Sequence, residues 1–540
     1  MSLFKTSTNS GSNTMIIRNA LLACVLLLTG WFLFEGSATS RGYERFPLAQ
    51  VDVQRYRAHL EVFPDSLYVQ GWIAIDVQTD SMWQGALPLF MKEGLILDSL
   101  WVDSTRVVAT LKEDTLWVQL PSSDTLHVVH VWYHGKPSTG LYRKTYRNQE
   151  VLFTDSWPER ARGWLPSLDH PSDPASFELF LTLPENYEPI ASGKLLELER
   201  RDGKVTAHYV LSGTAPTYAM AFAAADFSHY SFMLGDTLPI HFYMLPSDSH
   251  RVDLLNRTPE TLVVFSYLIG SYPYRQYSVA QIPIEYGGME NASIPFLKAS
   301  MFATTAPGPG NSVESVQVHE AAHQWFGDAV TIANWNHLWL SEGMATYLTT
   351  VFYEHIDGED AARWRRAEMA IFGRQEARTH GPLVPRRPVD PDSFLTWVPY
   401  RKGGSVLHLL RLKLGDDAFF GALREAYRRY RGRSWSTEDF QHVLEHYADT
   451  SLQQLFDYWV YGDSLPTLHL QWKAAERQLR WYVDGDAHTL DDVPFELLVV
   501  SEDERTVLLT RADTVHVFEG WPDTPPTVLP VGIMMKKQWD

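Results

Sequence analysis

The stretch from Asn311 to Tyr347 constrains this chain more than any other, because its polar residues can act together only if it folds as two helices packed side by side. Pro307, Gly308, Pro309 and Gly310 break the chain before it, and Asn311 with Glu314 three residues on reads as a capping box. Gly327 is the expected stop of that helix. His319 and His323 lie four residues apart on it, so their imidazoles leave one face a turn apart, the spacing that holds a single tetrahedral zinc. Glu320 is turned about 100° from His319 by the helical period, which suits a base beside the metal better than a ligand. A catalytic zinc takes three protein ligands and leaves the fourth place to water. Glu342 fits as the third: Leu338, Trp339 and Leu340 before it, and Met344, Ala345, Tyr347 and Leu348 after it, give the apolar pattern of a second helix lying against the first. Alone, HExxH also describes two ordinary histidines on an amphipathic helix, and the downstream glutamate shifts that balance.

With Glu342 in place the resemblance becomes specific. VHEAAHQWFGDAVT and WLSEGMATYL, with eighteen residues between His323 and Glu342, resemble the paired signature of the aminopeptidase N family of zinc metallopeptidases. About thirty residues earlier, Gly287, Gly288, Met289, Glu290 and Asn291 read by themselves as a loop with two permissive glycines. They resemble the family's GAMEN motif, with Gly288 where alanine is usual. The resemblance implies that Glu290 grips the free amine of a substrate and that the motif's backbone lines up the peptide. PYRKGGSVLHLLRL, Pro399 to Leu412, resembles the segment carrying the family's catalytic tyrosine, which implies that Tyr400 donates to the oxyanion. Its plain alternative is an aromatic at a helix start.

The resemblance therefore implies a zinc-dependent aminopeptidase with one Zn2+ per chain. His319, His323 and Glu342 would be the ligands, Glu320 the general base, and peptides with a free amino terminus the substrates. The rivals are a catalytically silent binding or scaffold protein of the same fold and a zinc endopeptidase; a branch of the family opens epoxides. One departure stands out in FTDSWPERAR, Phe153 to Arg162, where the family pattern places a second acidic or amide residue at the position of Trp157. On that alignment Glu290 holds the amine alone and Trp157 walls the pocket for the first side chain. Its alternative is a strand residue packed in the core.

At 540 residues the chain is too long for one core. Its 46 basic and 65 acidic residues leave a net charge of −19, which argues against a nucleic-acid partner. Lys5 and Arg18 precede an apolar run from Ala20 to Phe34, followed by Gly36, Ser37 and Ala38, as in a secretory signal peptide; an uncleaved membrane anchor is the alternative. An exported or membrane-anchored protein is expected, with membrane contact only through residues 1–41 and with the only cysteine, Cys24, inside that segment. Residues 42–230 alternate and turn as an amino-terminal β domain: Ile73, Ile75 and Val77 against Ala74 and Asp76, and Leu116, Val118 and Leu120 around Trp117 and Gln119. Residues 465–540 read as a small carboxy-terminal β-sandwich. The expected fold is multidomain α+β: an antiparallel β saddle or sandwich, a mostly helical catalytic domain over 231–464 that the resemblance makes thermolysin-like, and the β-sandwich. The large carboxy-terminal helical domain of longer members has no counterpart in this reading, and oligomeric state is not legible.

Overall fold

The computed structural model describes residues 50–539 except 81–82, 84, 122–124, 304–311, 388–389, 395, 397, 485–489, 491–492, 495, 503–505, 511–514 and 520. The signal-like segment, the breakers at 307–310 and Asn311 lie outside the described residues. Among those described, no helix is long and apolar enough to cross a membrane.

The amino-terminal part is built on an eight-stranded sheet. In spatial order its strands are Lys194–Arg201, Lys204–Ala215, Ala175–Pro184, Val51–Phe63, Tyr68–Thr79, Leu126–Gly135, Leu95–Val102 and Thr105–Val107. Period-two burial runs cleanly along Leu126–Gly135 and Ala175–Pro184, the signature of a sheet with one face on the core. The expected antiparallel pairing holds with one exception: Arg55–Glu61 runs parallel to Ser176–Thr182. The pattern around Ile73 also needs amending. Ala74 and Asp76 are buried too, and Asp76 is held on its face by Arg55 at 2.8 Å and Arg57 at 2.9 Å. A buried carboxylate needs such partners. A second sheet carries Leu141–Tyr146 and Gln149–Thr154 beside Phe222–Ala225 and Glu188–Ala191, and Asp155 directly follows its strand Gln149–Thr154.

The catalytic part opens with a five-stranded sheet ordered Ser228–Leu234, Leu238–Met244, Tyr277–Ile282, Phe296–Lys298 and Gly288–Met289. Gly288–Met289 is its edge, paired on one side only with Leu297 and Phe296. Helices follow at Val313–His323, Trp339–Asp357, Glu359–His380 and Gly403–Leu414. The first starts one residue later than the sequence suggests: Ser312 is the cap, its hydroxyl accepting from Ser315 N at 3.0 Å. Glu314 is therefore not the capping-box partner; it takes the Tyr353 hydroxyl at 2.8 Å instead. The helix closes at His323, and Gly327 turns the chain with φ +135°. Two sheets end the molecule, one containing Thr467–Lys473 and Gln478–Asp484, the other Glu496–Val500 and Thr527–Val531, in keeping with the β-rich carboxy-terminal part expected.

Candidate active site and metal centre

The two site helices meet at their polar residues. His319 Nε2 and His323 Nε2 stand 3.1 Å apart, and Glu342 Oε2 lies 3.3 Å from the first and 3.2 Å from the second. Tetrahedral ligands at zinc–nitrogen and zinc–oxygen bond lengths are separated by about 3.3 Å, so this triangle has the size of three corners around one zinc. The donor set, two imidazoles and a carboxylate that all line the cleft, fits the metal. His323 is fixed from behind: its Nδ1 is 3.3 Å from the Phe326 carbonyl and 3.1 Å from Ser341 Oγ, contacts that leave Nε2 for the metal.

Electrostatics in the protein alone show how strongly this corner wants a cation. Burial works against an imidazolium at His323, yet Glu342 and Glu290 outweigh it and lift the group to about 10. Burial pushes Glu342 up, while His323 and His319 hold it down at about 2. Burial also sends Glu320 well above the usual carboxylate range. Glu290 is pushed up to about 7 by burial, against the pull of His323 and with Glu342 and Asp155 adding like-charge repulsion.

These groups line one cleft of about 380 Å³, together with Trp157, Tyr286, Gly287, Gly288, Met289 and Tyr400. Tyr400 lies in a π-helical turn, Val398–Lys402, rather than at a regular helix start, and its hydroxyl donates to Glu342 Oε1 at 2.9 Å. Gly288 lies directly against Glu320: a Cβ there would stand 2.6 Å from Glu320 Cδ. Trp157 packs edge-on against Trp335, centroids 5.7 Å apart, and is 5% exposed at the cleft. Asn291 is fully buried behind the motif and does not line the cleft.

Gln324, just past the HExxH helix, binds the GGMEN loop to that helix. Its amide donates to the Glu290 carbonyl at 3.1 Å and to Asp328 Oδ2 at 2.9 Å, and its carbonyl accepts from Ser293 N at 2.7 Å. Ser293 is left-handed at φ 66°, a conformation costly for serine and held by these bonds together with Gly193 N, which donates to Ser293 Oγ at 2.7 Å.

The residues expected to hold zinc and to act as base, His319, His323, Glu342 and Glu320, lie together in the cleft, and three features beside them were not expected from the sequence. Asp155, at the end of strand Gln149–Thr154, is close enough to affect Glu290, so the expectation that Glu290 faces the amine alone is amended. Gln324 carried no motif signal of its own. Thr346, Thr349 and Thr350 were findable, since they follow Glu342 on the helical period.

Comparison with known proteins agrees with this geometry. Residues 254–459 match the peptidase family M1 domain, and residues 54–219 match the peptidase M1 N-terminal domain. Probable aminopeptidase 2 of Sulfurisphaera tokodaii is 22% identical over 490 residues, 86% of this chain and 61% of that protein. Endoplasmic reticulum aminopeptidase 1 of Mus musculus is 27% identical over 340 residues, 59% of this chain and 36% of that protein. The chain thus spans less than two thirds of the length of either relative. The crystal structure of an M1 zinc metallopeptidase from Deinococcus radiodurans superposes with a TM-score of 0.65 at 27% identity, covering 77% of this chain and 95% of the other. Legionella pneumophila aminopeptidase A shares the fold, with a TM-score of 0.72 at 18% identity over 91% of this chain and 60% of the other. With both family domains matched in order and the two-histidine, one-glutamate centre assembled within the second of them, the chain belongs to the aminopeptidase N family of zinc metallopeptidases, peptidase family M1.

Proposed function

We propose that this chain is a zinc-dependent aminopeptidase that removes the first residue from peptides with a free amino terminus. The observation that carries the reading is the buried Glu290 carboxylate lining the same cleft as the three metal donors and Glu320. A carboxylate desolvated beside a metal centre is costly, and a substrate ammonium compensates it. An endopeptidase has no use for such an anchor.

In this reading His319, His323 and Glu342 hold the zinc, which when bound lowers the pKa of a water towards about 7 and polarises the scissile carbonyl. Glu320 takes the proton of the attacking water and passes it to the leaving amine. Tyr400 donates its hydroxyl to the developing oxyanion, giving up the contact it makes to Glu342. Glu290, with Asp155 adding negative charge nearby, holds the ammonium, and the edge strand Gly288–Met289 offers its unpaired backbone to the peptide. Trp157 walls the first side-chain pocket, which favours large apolar or aromatic first residues. A mutant of the Deinococcus radiodurans peptidase is bound to a Tyr-Ser-Ala substrate, a peptide of that kind. The chain divides near residues 230 and 464, and the segment with Lys5, Arg18 and the apolar run Ala20–Phe34 supports export or membrane anchoring.

The deciding experiment compares leucyl-, phenylalanyl-, alanyl- and arginyl-anilides, with and without chelator, and one peptide in free and amino-acetylated forms. Chelator-sensitive cleavage confined to free amino termini is expected. Equal cleavage of the acetylated peptide overturns the exopeptidase reading, and no cleavage of any substrate favours the silent scaffold. Amino-terminal sequencing of the mature protein tests the export reading.

A further inference from the structure

His323 stands between two groups of metal donors. With His319 and Glu342 it makes the triangle described above; with Glu290 and Glu320 it makes another, whose donor atoms all lie within 4.8 Å of one another. Both of these carboxylates are buried, 5% exposed at Glu290 and 4% at Glu320, and both line the cleft. Among the described residues no hydrogen bond reaches the Glu320 carboxylate, the Gln324 amide turning to its backbone carbonyl at 3.5 Å. A desolvated carboxylate without a donor is costly and favours a cation beside it. The backbone fixes the pair in place: Gly288 packs against Glu320, and Gln324 holds the Glu290 carbonyl at 3.1 Å.

One imidazole nitrogen binds one metal, and His323 turns its other nitrogen to the Phe326 carbonyl and Ser341. The two groups of donors therefore compete for His323 Nε2, and the ion in the first takes it. That ion binds His323 as the neutral ring, so no imidazolium is left beside Glu290 and Glu320. A doubly charged ion then faces three carboxylates, Glu290, Glu320 and Glu342, and one negative charge remains over at low dielectric. In turnover the substrate ammonium answers it. Without substrate, two carboxylates stay open to the cleft, each able to bind through one or both oxygens. Donors on one zinc stand about 3.3 Å apart, so the Glu290 and Glu320 oxygens need to close by about 1.5 Å at most. The soft terminal torsion of a glutamate allows that movement. Paired metal ions about 3.5 to 4 Å apart are an ordinary arrangement in hydrolase sites.

Resting on the aminopeptidase reading, we propose that Glu290 and Glu320 form a second, weaker site for a divalent cation such as zinc in the metal-loaded enzyme, and that an ion bound there shuts the peptidase off. It occupies at once the carboxylate that takes the water's proton and the carboxylate that receives the substrate's ammonium.

The test dialyses the zinc-loaded protein against a series of buffered free-zinc concentrations, measures bound metal per chain, and assays leucyl-anilide cleavage at the same points. Two binding phases are expected. Activity is present with the first equivalent and falls as the second binds, and more substrate shifts the fall to higher zinc because ammonium and ion compete. Glu290→Gln and Glu320→Gln should each keep the first phase, which also reports that the variant is folded, and weaken the second at least about tenfold, the size of one charge-assisted contact. His229 and His241, whose ring nitrogens lie 3.0 Å apart on the surface, are the main adventitious competitor, so the dialysis is repeated with His241→Ala, where the second phase should persist. A single phase throughout, a second phase unchanged in both glutamine variants or lost with His241→Ala, or a second ion that leaves cleavage undiminished overturns the proposal; in each case cleavage at one zinc per chain leaves the peptidase reading standing. No cleavage at any zinc concentration removes the peptidase reading and the proposed regulation with it.

Discussion

Glu320 and Tyr400 separate binding from chemistry at the level of single side chains. Glu320 is not one of the three donors His319, His323 and Glu342, so Glu320→Gln should keep one zinc per chain by metal analysis while kcat falls at least about a hundredfold. Loss of zinc along with activity would mean the residue is a ligand and not the base. Tyr400→Phe removes a donor needed mainly when negative charge develops on the substrate oxygen, so kcat should fall by about a hundredfold or more with a small change in KM; a change confined to KM would contradict the role. The donors and the base were legible in the sequence because they sit on one helix and the first turn of the next, where the 3.6-residue period fixes their direction. Asp155 was not, since it meets Glu290 only through the pairing of strand Gln149–Thr154 with Phe222–Ala225, a long-range contact that leaves no local pattern.

Among elements, the contact that sets the site is the approach of the helix Trp339–Asp357 to the start of Gly403–Leu414. Gly343 and Gly403 make it possible, as a Cβ on Gly403 would lie 3.0 Å from Gly343 Cα and 3.5 Å from Trp339 Cβ. Gly403→Ala should push the two helices apart, at a cost of about 1 to 3 kcal/mol from overpacking, less about 1 kcal/mol regained in helix propensity. The expected outcome is a lower melting temperature together with a reduced kcat, because Tyr400 lies three residues before the clash and its 2.9 Å bond to Glu342 spans the same joint. Unchanged melting and turnover would show that the joint has slack. The sequence located both helices to within a few residues, yet it put the cap of the HExxH helix on Asn311. The structure uses Ser312, and Glu314 takes the Tyr353 hydroxyl, a long-range contact that the local sequence does not show.

At the scale of the whole molecule, the amino-terminal body braces the catalytic loops directly. Ala292 N donates to the Ala219 carbonyl at 2.8 Å, Tyr218 hydroxyl to the Gly327 carbonyl at 3.1 Å, and Thr331 hydroxyl to the Pro171 carbonyl at 2.8 Å. His170 adjoins the last of these. Burial, helped by the Arg162 charge, lowers it to about 4, and its Nδ1 accepts from Ser172 N at 3.2 Å, which requires the neutral ring. Its folded value lies below that of the unfolded chain, so its contribution is complete above about pH 6.5 and is lost as pH falls towards 4. Linkage puts the loss at about 2 to 3 kcal/mol. Thermal unfolding between pH 7 and 4 should therefore show a smaller acid-induced drop in His170→Gln than in the unmodified protein, and equal drops would remove His170 from the account. The β pattern of this body was plain from alternation, whereas the parallel pair between Arg55–Glu61 and Ser176–Thr182 was not, because residues so distant in the chain share no turn.

Gln324 ties the Glu290 loop to the end of the metal helix, and on the proposed role of Glu290 as amine anchor that turns the cleft into a gauge. The gap between the two is set by the protein's own amide bonds, so it is the same whichever peptide arrives, and the position of the cut follows from length and not from the identity of the second residue. A substrate whose first residue is a β-amino acid carries one extra methylene between amine and carbonyl. With its amine seated on Glu290 its carbonyl overshoots by about 1 Å, a misplacement that costs on the order of a hundredfold in rate. Leucyl and β-homoleucyl peptides compared side by side should show that gap, and a Gln324→Ala protein, its gauge loosened, should narrow it.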